Sequence, residues 1–281
     1  MRLVQFRIKD LTTRIGVLFG ENVVEISGTG VPNSLVEFLG LENALDKLKQ
    51  LASESKQVYR KDQVKLLAPI TKPDKILGVA GNFKDFCDLT NTPYPVEPLS
   101  FSKFSSTIVG PFDPINISKS SDSVDWEVEL VAVIGKKGKN IPANKAFEHI
   151  FGYTSCQDLT EKKWIKRNGG QFLMCKNFDD FLPLGPCLVT KDEIPDPYDV
   201  QLRTRINGEL KQDSNTNQMI HRIDKLVEYF SSVMTLLPGD IILTGTPYGV
   251  ATHHTPVRFL KKGDILESEV GIVGNMKNSV E

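Results

Sequence analysis

Glu127 and Glu129 alternate within Asp125-Trp126-Glu127-Val128-Glu129-Leu130. In a strand, residues i and i+2 project from one face, roughly 7 Å apart along the backbone. Two such carboxylates can converge on one cation. The run continues as Leu130-Val131-Ala132-Val133-Ile134, which reads as a buried strand. Carboxylates leading into a buried strand are costly unless paired or metal-bound. On these residues alone, a solvent-facing or salt-bridged pair at a strand end is the commoner outcome.

Asp158, in Ser155-Cys156-Gln157-Asp158-Leu159-Thr160, offers a third carboxylate. Three carboxylates from strand ends and helix starts make a hard oxygen set. Magnesium and manganese prefer such ligands, with water or substrate at the open positions. Taken alone, Asp158 reads more readily as a helix N-cap. Lys176 stands beside the apolar run Phe181-Leu182-Pro183-Leu184. A lysine there can snorkel to solvent, reach an anionic substrate, or act as acid or base once desolvated. Thr244-Gly245-Thr246-Pro247-Tyr248-Gly249-Val250 is a glycine-rich turn after an apolar strand. Its hydroxyl and N–H groups could hold a carboxylate, with a plain tight turn as the default. It lacks the lysine and spacing of a phosphate-binding loop.

These groups must be positioned by a strand-rich scaffold. Residues 1–68 read as a small N-terminal unit, with strands at 3–8, 15–19 and 22–26 and helices at 34–39 and 41–52. Pro69, Thr71, Lys72 and Pro73 form a linker to a second unit, residues 69–281. There, 76–80 reads as a strand and 91–98, with three prolines, as an extended loop. Helices are expected at 144–150, 159–167 and 222–234. A strand at 202–206 leads into Asn207-Gly208, a hairpin signal.

Composition narrows the classes. The 281 residues are 40% hydrophobic and 25% charged, as in an ordinary globular protein. The net charge of −1, from 34 basic and 35 acidic residues, argues against a general nucleic-acid binder. No run approaches the ~20 apolar residues of a membrane span. The four cysteines have no C-x-x-C spacing, so reduced thiols in an intracellular compartment, mitochondrial or cytoplasmic, are expected. Arg2, Arg7, Lys9 and Arg14 hint at mitochondrial import, but the alternation from Leu3 to Ile8 reads better as a first strand.

An ordered set of short runs resembles the fumarylacetoacetate hydrolase family over residues 69–281. The runs are Gly81-Asn82-Phe83-Lys84-Asp85, Phe101-Ser102-Lys103-Phe104, Ile108-Val109-Gly110-Pro111, Asp125-Trp126-Glu127-Val128-Glu129-Leu130 and Asp158. Lys176-Asn177-Phe178-Asp179, Pro183-Leu184-Gly185-Pro186, Asn207-Gly208-Glu209, Thr216-Asn217-Gln218-Met219 and 238–247 complete it. The resemblance implies an α+β, β-rich fold: a mixed β-sandwich roll with a small N-terminal α/β domain, assembled as a homodimer. It implies Mg2+ or Mn2+ held by Glu127, Glu129 and Asp158. Lys176 matches the family's active-site lysine. Thr246, Lys162 and Asn82 match positions around the substrate, a small 2-oxo or 1,3-dicarbonyl acid. The ion acts there as a Lewis acid at a developing oxyanion.

The chain also departs from the family. Hydrolytic members carry a water-activating histidine and glutamate where this chain has Phe86 and Leu89. Neither can accept a proton. Lys162 replaces a frequent arginine, keeping charge but losing the bidentate fork. Retained metal binding is therefore expected ahead of retained hydrolysis. Tautomerisation or decarboxylation needs no activated water, and oxaloacetate keto–enol exchange is the sharpest form of that expectation. Acylpyruvate cleavage or dehydration of a sugar acid is the wider family alternative. The competing reading is a catalytically impaired member that binds metal and a ligand or partner. His253 and His254 could swing in as a base, with an exposed loop pair as the commoner outcome.

Overall fold

Val128–Ile134 is buried at every position and forms the centre of the sheet. The computed structural model describes residues 1–26, 30–167 and 169–281. Apolar residues at successive positions suit a strand covered on both faces. Its even-numbered residues Leu130, Ala132 and Ile134 enter one hydrophobic core. Val131 and Val133 enter another, with Leu35, Phe38 and Leu48 of the N-terminal region. The strand pairs antiparallel with Ile150–Gln157 on one side and Ile241–Leu243 on the other.

The sheet then extends in both directions. Ile241–Leu243 pairs parallel with Ile76–Ala80, which pairs antiparallel with Leu99–Lys103. Beyond Ile150–Gln157 comes the buried strand Leu182–Thr190. Arg2–Arg7 adds to that strand, with Arg2 opposite Val189. Arg2 and Arg7 thus belong to a sheet strand, Arg14 lies in the next strand, Thr13–Phe19, and Lys9 lies in the turn between them. A second sheet of four antiparallel strands, in the order Glu209–Asn215, Gln201–Ile206, Ile265–Val270 and Gly274–Ser279, packs behind the site. The Asn207-Gly208 turn has positive φ at both residues, as a tight hairpin requires. The architecture is the β-rich α+β fold expected.

Helix Ile223–Val233 buries Ile223, Leu226, Val227 and Phe230, the i, i+3, i+4, i+7 stripe of an amphipathic helix. Some elements differ from expectation. Lys84–Thr90 is a helix where the sequence analysis assigns no element. The helix expected at 41–52 runs from Ala44 to Glu54. The helix expected at 159–167 begins at Lys162. Thr160–Glu161 is instead a short strand paired with Val124–Asp125. Buried Glu161 explains the delay: its carboxylate accepts hydrogen bonds from Ser121 Oγ, Ser123 Oγ and the Ser123 N–H. Those bonds tie the segment to the serine loop and exclude a helical start.

Candidate metal centre

The strand carrying the glutamates is interrupted: Val124–Asp125 and Val128–Ile134 are separate, with Trp126 and Glu127 between. Such a break leaves backbone donors without ladder partners. Two buried glutamines replace them. Gln157 Oε1 accepts the Glu127 N–H at 2.8 Å, and Gln212 Oε1 accepts the Val128 N–H at 3.2 Å. Gln157 Nε2 donates at 3.0 Å to both Thr204 Oγ1 and Ser268 Oγ, which fastens the break to the second sheet. Gln212 Nε2 donates to Thr246 Oγ1 at 2.9 Å and to Pro247 O at 3.1 Å.

Glu127, Glu129 and Asp158 converge. One carboxylate oxygen from each lies within 4.8 Å of the others, and all three residues are buried. Neither glutamate faces solvent, Glu127 is salt-bridged to Lys162 and Lys176 as the other arm of the strand-end reading has it, and the capping reading of Asp158 is overturned. No helix starts at Asp158, whose side chain turns inward to two lysines. Lys103 Nζ lies 2.8 Å from Oδ1, and Lys176 Nζ donates to Oδ2. Oδ1 is buried and, though ion-paired with Lys103, makes no hydrogen bond.

Lys176 is 3% exposed, so it does not snorkel. Its Nζ also donates to Glu127 Oε2 at 2.8 Å and sits 4.6 Å from the centre of the Phe101 ring. Glu127 Oε1 accepts from Lys162 Nζ at 2.6 Å and from Thr160 Oγ1 at 3.0 Å. Lys162 Nζ lies 3.6 Å from Asp125 Oδ2 as well. Within this cluster the carboxylates differ. Burial raises the Glu127 carboxyl, but the ammonium groups of Lys162 and Lys176 outweigh it and hold the group low. Burial, reinforced by Asp158, drives Glu129 well above the ordinary carboxylate range. Glu129 therefore depends most on an added positive charge.

The glycine-rich turn closes the site. Gly245 N–H donates to Glu129 Oε2 at 2.6 Å. At φ +94° a side chain there would be strained, and its Cβ would lie 2.8 Å from Asn82 Cβ. Thr246 Oγ1 donates to Val128 O at 3.0 Å, which seats the turn beside the triad. Asn82 lies behind the turn. Its amide donates to Thr244 O and His221 O and accepts the His221 N–H, at 2.8, 3.0 and 2.7 Å.

Phe86 lies on the helix Lys84–Thr90, with its ring edge toward His253 at 5.0 Å between centres. Leu89 is 62% exposed. His253 and His254 are half-buried rather than exposed, and His253 stacks on Tyr248. The sequence reading gave Lys103, Gln157, Gln212 and Asp125 no role. Lys103 did stand inside a matching run, Phe101-Ser102-Lys103-Phe104, which was its only signal.

Three buried carboxylates, ringed by lysines and closed by a backbone N–H, are a donor set that fits a hard divalent cation. Fold and site together define a β-rich roll with a buried three-carboxylate centre able to hold a metal ion. A family model described as "Fumarylacetoacetate (FAA) hydrolase C-terminal" matches residues 75–281. The chain is 45% identical to "Oxaloacetate tautomerase fahd2, mitochondrial" of Xenopus laevis, covering 100% of this chain and 90% of that one. It is 42% identical to "Oxaloacetate tautomerase FAHD2A, mitochondrial" of Homo sapiens, covering 100% and 91%. Among solved structures, a fumarylacetoacetate hydrolase of Exiguobacterium antarcticum superimposes with a TM-score of 0.88 at 34% identity, covering 100% and 99%. The chain belongs to the fumarylacetoacetate hydrolase family, and it is an enzyme of that family.

Proposed function

We propose that the chain is an oxaloacetate tautomerase that uses Mg2+ or Mn2+ held by Glu127, Glu129 and Asp158. The observation that carries this reading is a buried triad without a water-activating pair beside it. Phe86 and Leu89 offer no base to activate a water nucleophile, whereas keto–enol exchange consumes no water and needs only a carrier, such as solvent water, to take a proton from carbon and return one to oxygen. The names of the curated relatives support the same substrate. When bound, the cation supplies Lewis-acid stabilisation of negative charge developing on the 2-oxo oxygen.

The chain's residues supply the rest. Lys176 holds Glu127 and Asp158 in one orientation and gives the cleft fixed positive charge. Lys162, one-fifth exposed, is placed to attract a substrate carboxylate while bonded to Glu127. Thr246 serves the substrate end through the turn that it seats, since its hydroxyl donates to Val128 O and accepts from Gln212. Asn82 supports the substrate end indirectly, through the turn backbone that it bonds. Tautomerase turnover that requires added Mg2+ or Mn2+, and that disappears in Glu129→Gln, tests the reading.

We divide the chain into a small N-terminal domain, residues 1–68, and a catalytic domain, residues 69–281. The start of the family match at residue 75 supports that boundary. A mitochondrial location follows the relatives' names. A homodimer follows the family resemblance, and exposed Leu99 and Val233 on one apolar groove supply a surface for it. No helix among the described residues is long and apolar enough to cross a membrane. A second reading, an impaired binding protein, draws on the same Phe86 and Leu89. Acylpyruvate hydrolysis gained in Phe86→His/Leu89→Glu, with the unaltered chain inert toward oxaloacetate, would favour it.

A further inference from the structure

His253 closes the short 3-10 turn Ala251–His253, just after the glycine turn that binds Glu129. Its ring is fixed on two sides. Tyr248 stacks on it at 4.5 Å between centres and 10° between planes, and Phe86 meets it edge-on at 5.0 Å. The turn is tied to the charged cluster from below. Asp125 Oδ1 accepts the Ala251 N–H at 2.6 Å, and Asp125 Oδ2 lies 3.6 Å from Lys162 Nζ, the lysine that bonds Glu127. An imidazole thus stands against Phe86, brought there by the loop that follows the glycine turn.

The hydrogen bonding determines its protonation. Gly249 N–H donates to His253 Nδ1 at 3.1 Å. A ring nitrogen that accepts a hydrogen bond carries no proton, so the neutral ring holds its proton on Nε2. Gly249 itself is fixed: at φ +105°, a Cβ there would lie 2.2 Å from Lys211 O. Among the described residues, none bonds Nε2. Burial, and then the positive charge of Lys162, push the imidazole down to about 4, with His254 acting in the same direction and Glu127 against it. A ring locked in this way is a poor base, because its free lone pair is already engaged.

We propose that His253 is a neutral electrophile: its Nε2–H donates a hydrogen bond to the substrate oxygen on which enolate charge develops. This rests on the 2-oxo acid reading above. No bond to His253 forms or breaks. The proton leaves the substrate carbon for solvent water and another is returned from solvent to the oxygen, while Nε2 keeps its own. The geometry therefore replaces the swinging base suggested by sequence with a fixed donor of the oxyanion-hole kind.

The test uses oxalate, a planar dianion shaped like the enolate, in the presence of saturating Mg2+. His253→Phe keeps both ring contacts and removes the donor. Calorimetry should find Mg2+ affinity unchanged in this variant, oxalate affinity lower by about 10-fold or more, and oxaloacetate kcat lower by about 100-fold. His253→Gln, which can offer an N–H, should recover part of both. On the unaltered protein, 15N-histidine NMR should show the Nε2–H tautomer at His253, with its proton shifting when oxalate is added. Oxalate binding with that shift, but no oxaloacetate turnover, would refute the tautomerase reading and support the donor. An Nδ1–H tautomer, no oxalate response, or equal oxalate affinity in His253→Phe would overturn the donor.

Discussion

Gln157 Oε1 accepts the backbone N–H of Glu127 at 2.8 Å, at the point where the central strand breaks. The bond is a structural condition of the metal site. An unbroken strand would turn Glu127 into the ladder, and an unsatisfied break would leave a buried donor. Gln157→Leu strands the Glu127 N–H and removes a bond from the Ser268 hydroxyl, while Thr204 keeps its bond to Gln212. It should cost about 1–3 kcal/mol in urea unfolding. Because it loosens a ligand from behind, Mg2+ affinity in calorimetry should fall about 10–100-fold.

Among the described residues Glu129 accepts one side-chain hydrogen bond, from Gly245 N–H, and it is the triad member most dependent on a cation. Glu129→Gln keeps the shape and the bond but removes the charge. Mg2+ affinity should fall by roughly 100-fold or more, beyond the loss expected from a supporting residue. Stability without added cation should hold or rise, since a buried like-charge contact with Asp158 is removed.

Lys176 joins Glu127 to Asp158, so Lys176→Met leaves two buried carboxylates short of a partner. Breaking such a pair costs about 3–5 kcal/mol. Chemical unfolding without cations should show that loss. Added Mg2+ should restore more stability to the variant than to the unaltered chain, by mass action on the folded state. Turnover should not recover with it.

His253 carries a pH dependence with a defined sign. Its folded value is about 4, pushed down by burial and by Lys162 and His254 against Glu127, while a free histidine titrates near 6.5. Between those values the unfolded chain binds the extra proton, so stability rises with pH across that window. The contribution is complete above about 6.5 and is lost as pH falls toward about 4. Urea midpoints of the unaltered chain and of His253→Gln should therefore diverge from pH 7 to pH 5, with the unaltered chain losing more.

Much of the site was legible because its residue types are costly where they stand. Glu127, Glu129 and Lys176 sit against apolar runs, and Asp158 joined them through the ordered resemblance. Lys103 was not legible, since nothing in its own run says which carboxylate it will meet across the fold. The roles of Gln157 and Gln212 were invisible for a related reason. Their partners are backbone groups freed by a strand break, and alternation carries through Trp126 and Glu127 as though the strand were whole. The helix beginning at Lys162 rather than Leu159 depends on Glu161 bonding serines some 40 residues away. The helix Lys84–Thr90 is short, and its pattern of Phe86, Cys87 and Leu89 does not distinguish helix from loop.

The central claim is tautomerisation without hydrolysis or decarboxylation at a three-carboxylate centre. The most direct measurement follows oxaloacetate by enol absorbance and by pyruvate release in parallel, with and without Mg2+ or Mn2+. Cation-dependent loss of enol with no pyruvate formed is the expected result. Pyruvate released in step with enol loss, or no enol change while the cation is still bound by calorimetry, would contradict it.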